Sequence, residues 1–244
     1  MPDFDPEEIH RVAKAVRERA FLDYIKRQRE IKTQGAFEYH VWNYMREYFT
    51  STANDAAFTF LDQMIAEVDN QYHRAWNEGA HSVDVLPADM TDMDMMVLQV
   101  EIGGEQNLLG GIAGDIERAK ADGLTDAEFH SAFRNRAFMW SNRYNAVADK
   151  AATYFGQRAK FEWVLGGTEN HCHTGDEGKP GIGCANLAGI VMWGHEWDVA
   201  DIKPQQTTLV CGGYNCECRL EPTDKPRTRG GLGRVLDMRV AASL

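Results

Sequence analysis

The stretch "CGGYNCECRL", residues 211–220, carries three of the chain's five cysteines. The other two are Cys172 and Cys184, and the first 171 residues contain none. Cysteine used as a small apolar core residue would be scattered along the chain. Five confined to its last third and flanked by glycines read as ligands gathered around one point. Tetrahedral zinc takes four thiolate or imidazole donors at about 2.0–2.3 Å, usually delivered as two close pairs from turns that fold together. Cys172 with Cys184 supplies one pair; Cys211, Cys216 and Cys218 supply the other, with one to spare. Gly183, Gly212 and Gly213 let the backbone curl so that thiolates face inward. His171 and His173 flank Cys172 and compete as ligands, but local strand alternation turns both to the opposite face, as supporting or surface residues. The alternative is five thiols without a metal.

Outward from this cluster, the texture after Gly156 is rich in glycine, proline and tryptophan, with short apolar runs "FEWVL", "GIVMW" and "TTLV" that read as small strands between loops. A module over residues 157–224, about 65 residues, is of a size that commonly needs a metal or disulfide to complete its fold. Beyond it, "KPRTRGGLGRVLDMRV" lacks a long apolar stripe, so residues 225–244 are expected as a basic tail, mobile until a partner orders it.

Residues 1–156 read as helices. Ile9, Val12, Ala13, Val16 and Ala20 recur at the helical period, as do Phe37, Val41, Tyr44, Met45 and Tyr48. A third helix is expected from an Asn54 N-cap through Phe60, Met64, Val68, Tyr72 and Trp76, with Gly79 placed to stop it. Met90, Met93, Met95 and Met96 read as core filler or as a partner surface. Gly103-Gly104 and Gly110-Gly111 predict a hinge between two short helices, since each glycine costs about 1 kcal/mol against alanine. Thr125 and Glu128 form a capping box opening a spine helix near residues 125–155, with Phe129, Phe133, Ala137, Trp140, Tyr144, Val147, Ala151 and Tyr154 along one stripe. The fold class predicted is α+β, predominantly α: a long-helix amino-terminal region with a zinc-stapled module of short strands.

The net charge of −11 argues against a general nucleic-acid coat, but it conceals segregation. Residues 10–32 carry eight Lys/Arg against three acids, residues 51–130 carry sixteen acids against three bases, and from Arg219 onward bases lead six to three. Such a chain can dock head to tail on its own copies or on a complementary partner, unless each run is only a solvated helix face. The first residues lack the apolar run of a secretory signal and no segment has the roughly 20 apolar residues of a membrane span, so an intracellular chain is expected, in which thiols stay free or bind metal. No phosphate loop follows the glycine pairs. The P-C-x-x-C element of zinc deaminases, H-E-x-x-H and G-x-S-x-G are all missing, so no enzyme class is indicated. His171, His173, His195 and Glu196 support a catalytic reading by residue type alone.

Trp163, Cys172, Cys184, Leu187, Gly189, Asn215, Cys216 and Cys218, following a long helix that ends in "AATYFG", occur in an order that resembles the carboxy-terminal domain of phage minor head proteins of the Mu F-like class. Members of that class have a Trp, a C-x-x-C pair, a Leu-x-Gly and a closing N-C-R-C. Here "TGDEGKPGIG" splits the first pair and the closing motif reads C-E-C. The resemblance spans about 100 residues, to Thr223. It implies a virion component of small copy number, assembled in the host cytoplasm within a multi-subunit assembly, contacting portal or capsid protein and acting in head morphogenesis or DNA delivery. Packaged DNA is a further expected partner of the basic tail. The alternative is a nucleic-acid-binding module using the basic first helix and the tail, whose affinity would fall steeply with salt.

Overall fold

The computed structural model describes residues 35–167, 170–176, 181–206, 208–212 and 216–241. The helix expected over Ile9 to Ala20, and the Gly213 and Asn215 positions of the cysteine motif, lie outside these residues. Residues 37–244 make one compact unit.

Helices α1 (residues 35–50), α2 (Ala56–His81), α3 (Asp92–Ala121) and α4 (Asp126–Phe155) build the first half. Each buries one stripe in a common core: Phe37, Val41 and Met45 from α1; Phe60, Met64, Val68, Tyr72 and Trp76 from α2; Phe129, Phe133, Trp140, Tyr144 and Ala151 from α4. α4 is the expected spine. Its capping box is complete, with Thr125 N donating to Glu128 at 2.8 Å and Glu128 N to the Thr125 hydroxyl at 3.4 Å. Of the four methionines at the start of α3, Met90 and Met95 pack at the core's edge, while Met93 and Met96 are exposed.

Two glycine expectations are corrected. Gly79 does not stop α2, which is capped at Asp55 rather than Asn54 and continues to His81. Gly79 is instead where α2 touches α4: a Cβ there would lie 2.0 Å from the Ala148 carbonyl oxygen. The hinge predicted at Gly103-Gly104 and Gly110-Gly111 is also absent, because Asp92–Ala121 is one uninterrupted helix. Leu98, Ile102, Leu109, Ile112 and Ile116 lie buried at helical spacing before, between and after those glycines. Each such side chain contributes about 1.5–3 kcal/mol on burial, which outweighs about 1 kcal/mol lost per glycine. A second capping box, Thr91 with Asp94, fixes the start of this helix.

The second half is a three-stranded antiparallel sheet ordered β2-β1-β3, with β1 at Lys160–Val164, β2 at Val191–Trp193 and β3 at Arg219–Pro222. Short helices α5 (Cys184–Leu187) and α6 (Gly194–Ala200) flank β2 in sequence, and α7 (Gly231–Ala241) follows β3. Phe161, Trp163, Leu187, Ile190, Met192, Trp197 and Leu220 form a second core, which Ala152 of α4 joins. Thus the architecture is α+β and predominantly α, with a small sheet and a cysteine cluster in the carboxy-terminal third. No described helix is long and apolar enough to cross a membrane.

The tail expected to be mobile is instead folded onto this core over Gly231–Ala241. Val235 is fully buried, Leu232 and Met238 pack beside it, and Arg239 donates to the Ala200 carbonyl at 2.8 Å. The apolar residues Leu232, Val235 and Met238 recur every third position, a stripe of one short helix too brief to stand out among arginines and glycines.

Candidate metal centre

Four chain segments deliver the five sulfurs, and the local sequence accounts for each. An isolated parallel bridge joins Ile182 to Leu209, with Val210 N donating to the Ile182 carbonyl at 3.1 Å. Cys184 and Cys211 each lie two residues beyond that bridge, so their side chains meet, Sγ to Sγ at 3.9 Å. Cys216 and Cys218 lead into β3, where i and i+2 share a face; Cys216 Sγ lies 3.8 Å from Cys184 Sγ. Glu217, the residue between them, points out and accepts from Gly167 N at 3.1 Å, which is the work the glutamate of the C-E-C motif does here.

Cys172 comes from the loop after β1, and the ten-residue interval "TGDEGKPGIG" is closed by hydrogen bonds across its base. Ala185 N donates to the Cys172 carbonyl at 3.1 Å, Thr174 N to Asn186 Oδ1 at 2.8 Å, and Gly183 N to the Thr174 hydroxyl at 3.0 Å. Gly183 serves this closure by size, since a Cβ would meet the His173 backbone at 2.4 Å; Gly212 serves by conformation, at φ +60°. Cys184 N donates to Cys172 Sγ at 3.2 Å.

The sulfurs fall into two triads, Cys172, Cys184, Cys211 and Cys184, Cys216, Cys218, each with all three atoms within 4.8 Å of one another. Cys184, Cys216 and Cys218 are buried, Cys172 and Cys211 half-buried, and none of the five is in a disulfide. A tetrahedral ion with zinc–sulfur bonds of about 2.3 Å has sulfur–sulfur edges of about 3.8 Å. The measured separations of 3.8 and 3.9 Å fit that edge, so these donors suit a thiophilic metal ion. All five predicted ligands therefore come together.

Electrostatics agree with a cation's place. Hydrogen bonds with Cys211, Cys216 and Cys218 push the Cys184 thiol up, and the same contacts lower Cys216 and bring Cys218 to about 3, with Cys184 the largest cause in both. Burial raises Cys172. Sulfurs this close cannot all carry charge without a positive ion among them.

The histidine expectation is corrected in half. His173 is exposed, but His171 faces the cluster, its Nδ1 4.0 Å from Cys218 Sγ. The alternation argument failed because residues 170–173 are loop, not strand. His195 Nδ1 lies 2.9 Å from the Gln157 carbonyl, and Glu196 is buried as the partner of Arg227 and the cap of Trp193 N. Of the tail's five cations, Lys225, Arg227 and Arg239 pair with Glu162, Glu196 and Asp201, while Arg229 and Arg234 are exposed.

A cavity of about 620 Å³ between α4 and residues 201–206 is a second concavity that sequence reading did not find. Its walls hold three ion pairs, Glu105 with Arg143 and Glu101 with Lys150, both joined by long-range packing, and the sequence-local Asp198 with Lys203. The Tyr72 hydroxyl donates to Glu105 at 2.8 Å, and burial pushes its pKa well up.

No family model, no curated protein and no solved structure matches this chain.

Proposed function

We propose that the chain is a structural protein of a phage particle, a minor head or portal-associated component acting in head morphogenesis or DNA delivery, and that zinc staples its carboxy-terminal third into a rigid docking body. The observation that carries the reading is the convergence of five thiols from separated segments beside β3, in the residue order that resembles the minor head class. Zinc fits the donor set by softness and by edge length. Four of Cys172, Cys184, Cys211, Cys216 and Cys218 would hold a single such ion; structural zinc supplies about 10–16 kcal/mol of folding free energy in zinc-finger peptides of comparable chemistry. A module of about 65 residues around a sheet of three short strands gains from such a staple, since small cores commonly need one.

The segregated charge supports assembly with portal or capsid protein rather than solitary action. Mass spectrometry of purified virions and procapsids, combined with elemental analysis of chain purified without chelator, tests both parts. The expected result is a few copies per particle and bound zinc. Absence from both particle types overturns the virion role; zinc near zero overturns the staple.

A further inference from the structure

We infer that the cluster holds two thiophilic metal ions bridged by the Cys184 thiolate: one on Cys172, Cys184 and Cys211, the other on Cys184, Cys216 and Cys218 with His171 as fourth ligand. The inference rests on the reading of the cluster as a metal site and deepens it.

A single ion held by four sulfurs would show six edges near about 3.8 Å. Two sulfur–sulfur separations of 3.8 and 3.9 Å match that edge and both start from Cys184, while Cys216 also contacts Cys211 and Cys218. Among the described residues no four sulfurs lie mutually within 4.8 Å, whereas two sets of three do, and they share one atom. That is the arrangement of two polyhedra joined at a corner.

A one-ion site would also leave one thiol idle, and none of the five looks idle. Cys172 Sγ accepts the Cys184 backbone N–H at 3.2 Å, and it belongs to a triad with Cys184 and Cys211. On the other side, His171 Nδ1 lies 4.0 Å from Cys218 Sγ. A mixed tetrahedron with bonds of about 2.3 Å to sulfur and about 2.0 Å to nitrogen has an edge of about 3.5 Å, so a ring movement of about half an ångström completes the coordination. The first ion, between the half-buried Cys172 and Cys211, keeps a position for water.

Charge favours two ions as well. Five thiolates and two divalent ions sum to −1, whereas four thiolates on one ion sum to −2 beside a protonated fifth sulfur. Cys184, Cys216 and Cys218 are buried, so the smaller residual charge is cheaper to keep there. Binding releases the thiol protons to solvent, one for each thiolate formed.

Native mass spectrometry and elemental analysis of the full chain, purified without chelator and loaded with zinc, count the ions. Two per chain are expected, falling to one in Cys172→Ser. One ion per chain in the wild type overturns the bridge and leaves the staple standing; none overturns both. Cadmium-113 NMR of the cadmium-loaded wild type needs no variant: two resonances coupled to each other through the shared sulfur are expected, and a single resonance, or two uncoupled ones, overturns the proposal.

Discussion

Substituting alanine for Gly79 and, separately, for Gly104 makes the same chemical change in two helices and should move stability in opposite directions. At Gly79 the added Cβ would stand 2.0 Å from the Ala148 carbonyl oxygen and 2.8 Å from Ala151 Cβ. Ordinary contact begins at 3.4 Å, so α2 and α4 must separate by roughly 1.4 Å, the difference of the two distances. A gap approaching 1 Å forfeits about a quarter to a half of each dispersion contact along a seam that includes Trp76 and Val147. Overpacking of this kind costs about 1–3 kcal/mol and more where backbone is struck, against about 1 kcal/mol gained in helix propensity. A net loss of about 2 kcal/mol lowers Tm by about 4–8 °C for a chain of this size. At Gly104 no atom lies within 4 Å, so only the propensity gain remains, about 0.5–1 kcal/mol and about 1–4 °C upward. Thermal unfolding followed by circular dichroism measures both. A Gly79→Ala protein as stable as wild type refutes the close contact, and a Gly104→Ala protein less stable than wild type refutes the continuous α3.

Glu196→Gln should cost about 2 kcal/mol at neutral pH, because the buried carboxylate accepts from Arg227 Nε at 2.8 Å and Trp193 N at 3.0 Å. The Arg227 hydrogen bond, the largest cause, holds the Glu196 carboxyl below its ordinary 4.5. Its contribution is therefore present above that value and lost as pH falls through the lower folded-state value, so urea unfolding of wild type and variant should converge in acid, and a pH-independent gap would contradict the pairing. Asp149→Ala removes the acceptor of the Leu220 backbone N–H, 3.2 Å away, and should destabilise by about 1–3 kcal/mol with faster amide exchange at Leu220 while α2 stays protected. Unchanged exchange at Leu220 would show that α4 does not hold β3.

Helix positions and the five-cysteine cluster were legible because both are written in short-range pattern. The stripe Phe129, Phe133, Ala137, Trp140, Tyr144 repeats at the helical period, and Thr125 with Glu128 announces its own cap. Cysteine crowding needs no geometry to be seen. What stayed hidden depends on partners far along the chain. Gly79 looks like a helix stop until Ala148 is known to press on it, and the α3 glycines look like a hinge until Ile102 and Leu109 are known to be buried. His171 was turned away by an alternation rule that holds only in a strand, and the 620 Å³ cavity is lined from four separate regions. Glycine is the residue for which propensity says least, because an empty Cβ position and a crowded one read identically in sequence.

The cysteine centre and the helical half meet through β3. Cys218 directly precedes Arg219, and the next two residues bind α4: Arg219 donates to Asn145 at 2.7 Å and Leu220 N to Asp149 at 3.2 Å. β3 pairs with β1 alone among the strands, so it would otherwise present an open edge, and α4's polar side chains cover it. A strand of four residues bound to α4 along its edge has little freedom to shift register, and a metal ion on Cys216 and Cys218 would fix its start as well. Since Ala152 near the end of the 30-residue α4 already lies in the module's core, loss of the sulfurs' anchor would loosen β3, uncover that end of α4 and pass strain into the helix on which α2 packs. A metal staple at the start of β3 would thus add a second attachment of the module to the spine, beside α6, whose Asp198 accepts from the Thr153 hydroxyl of α4 at 3.3 Å.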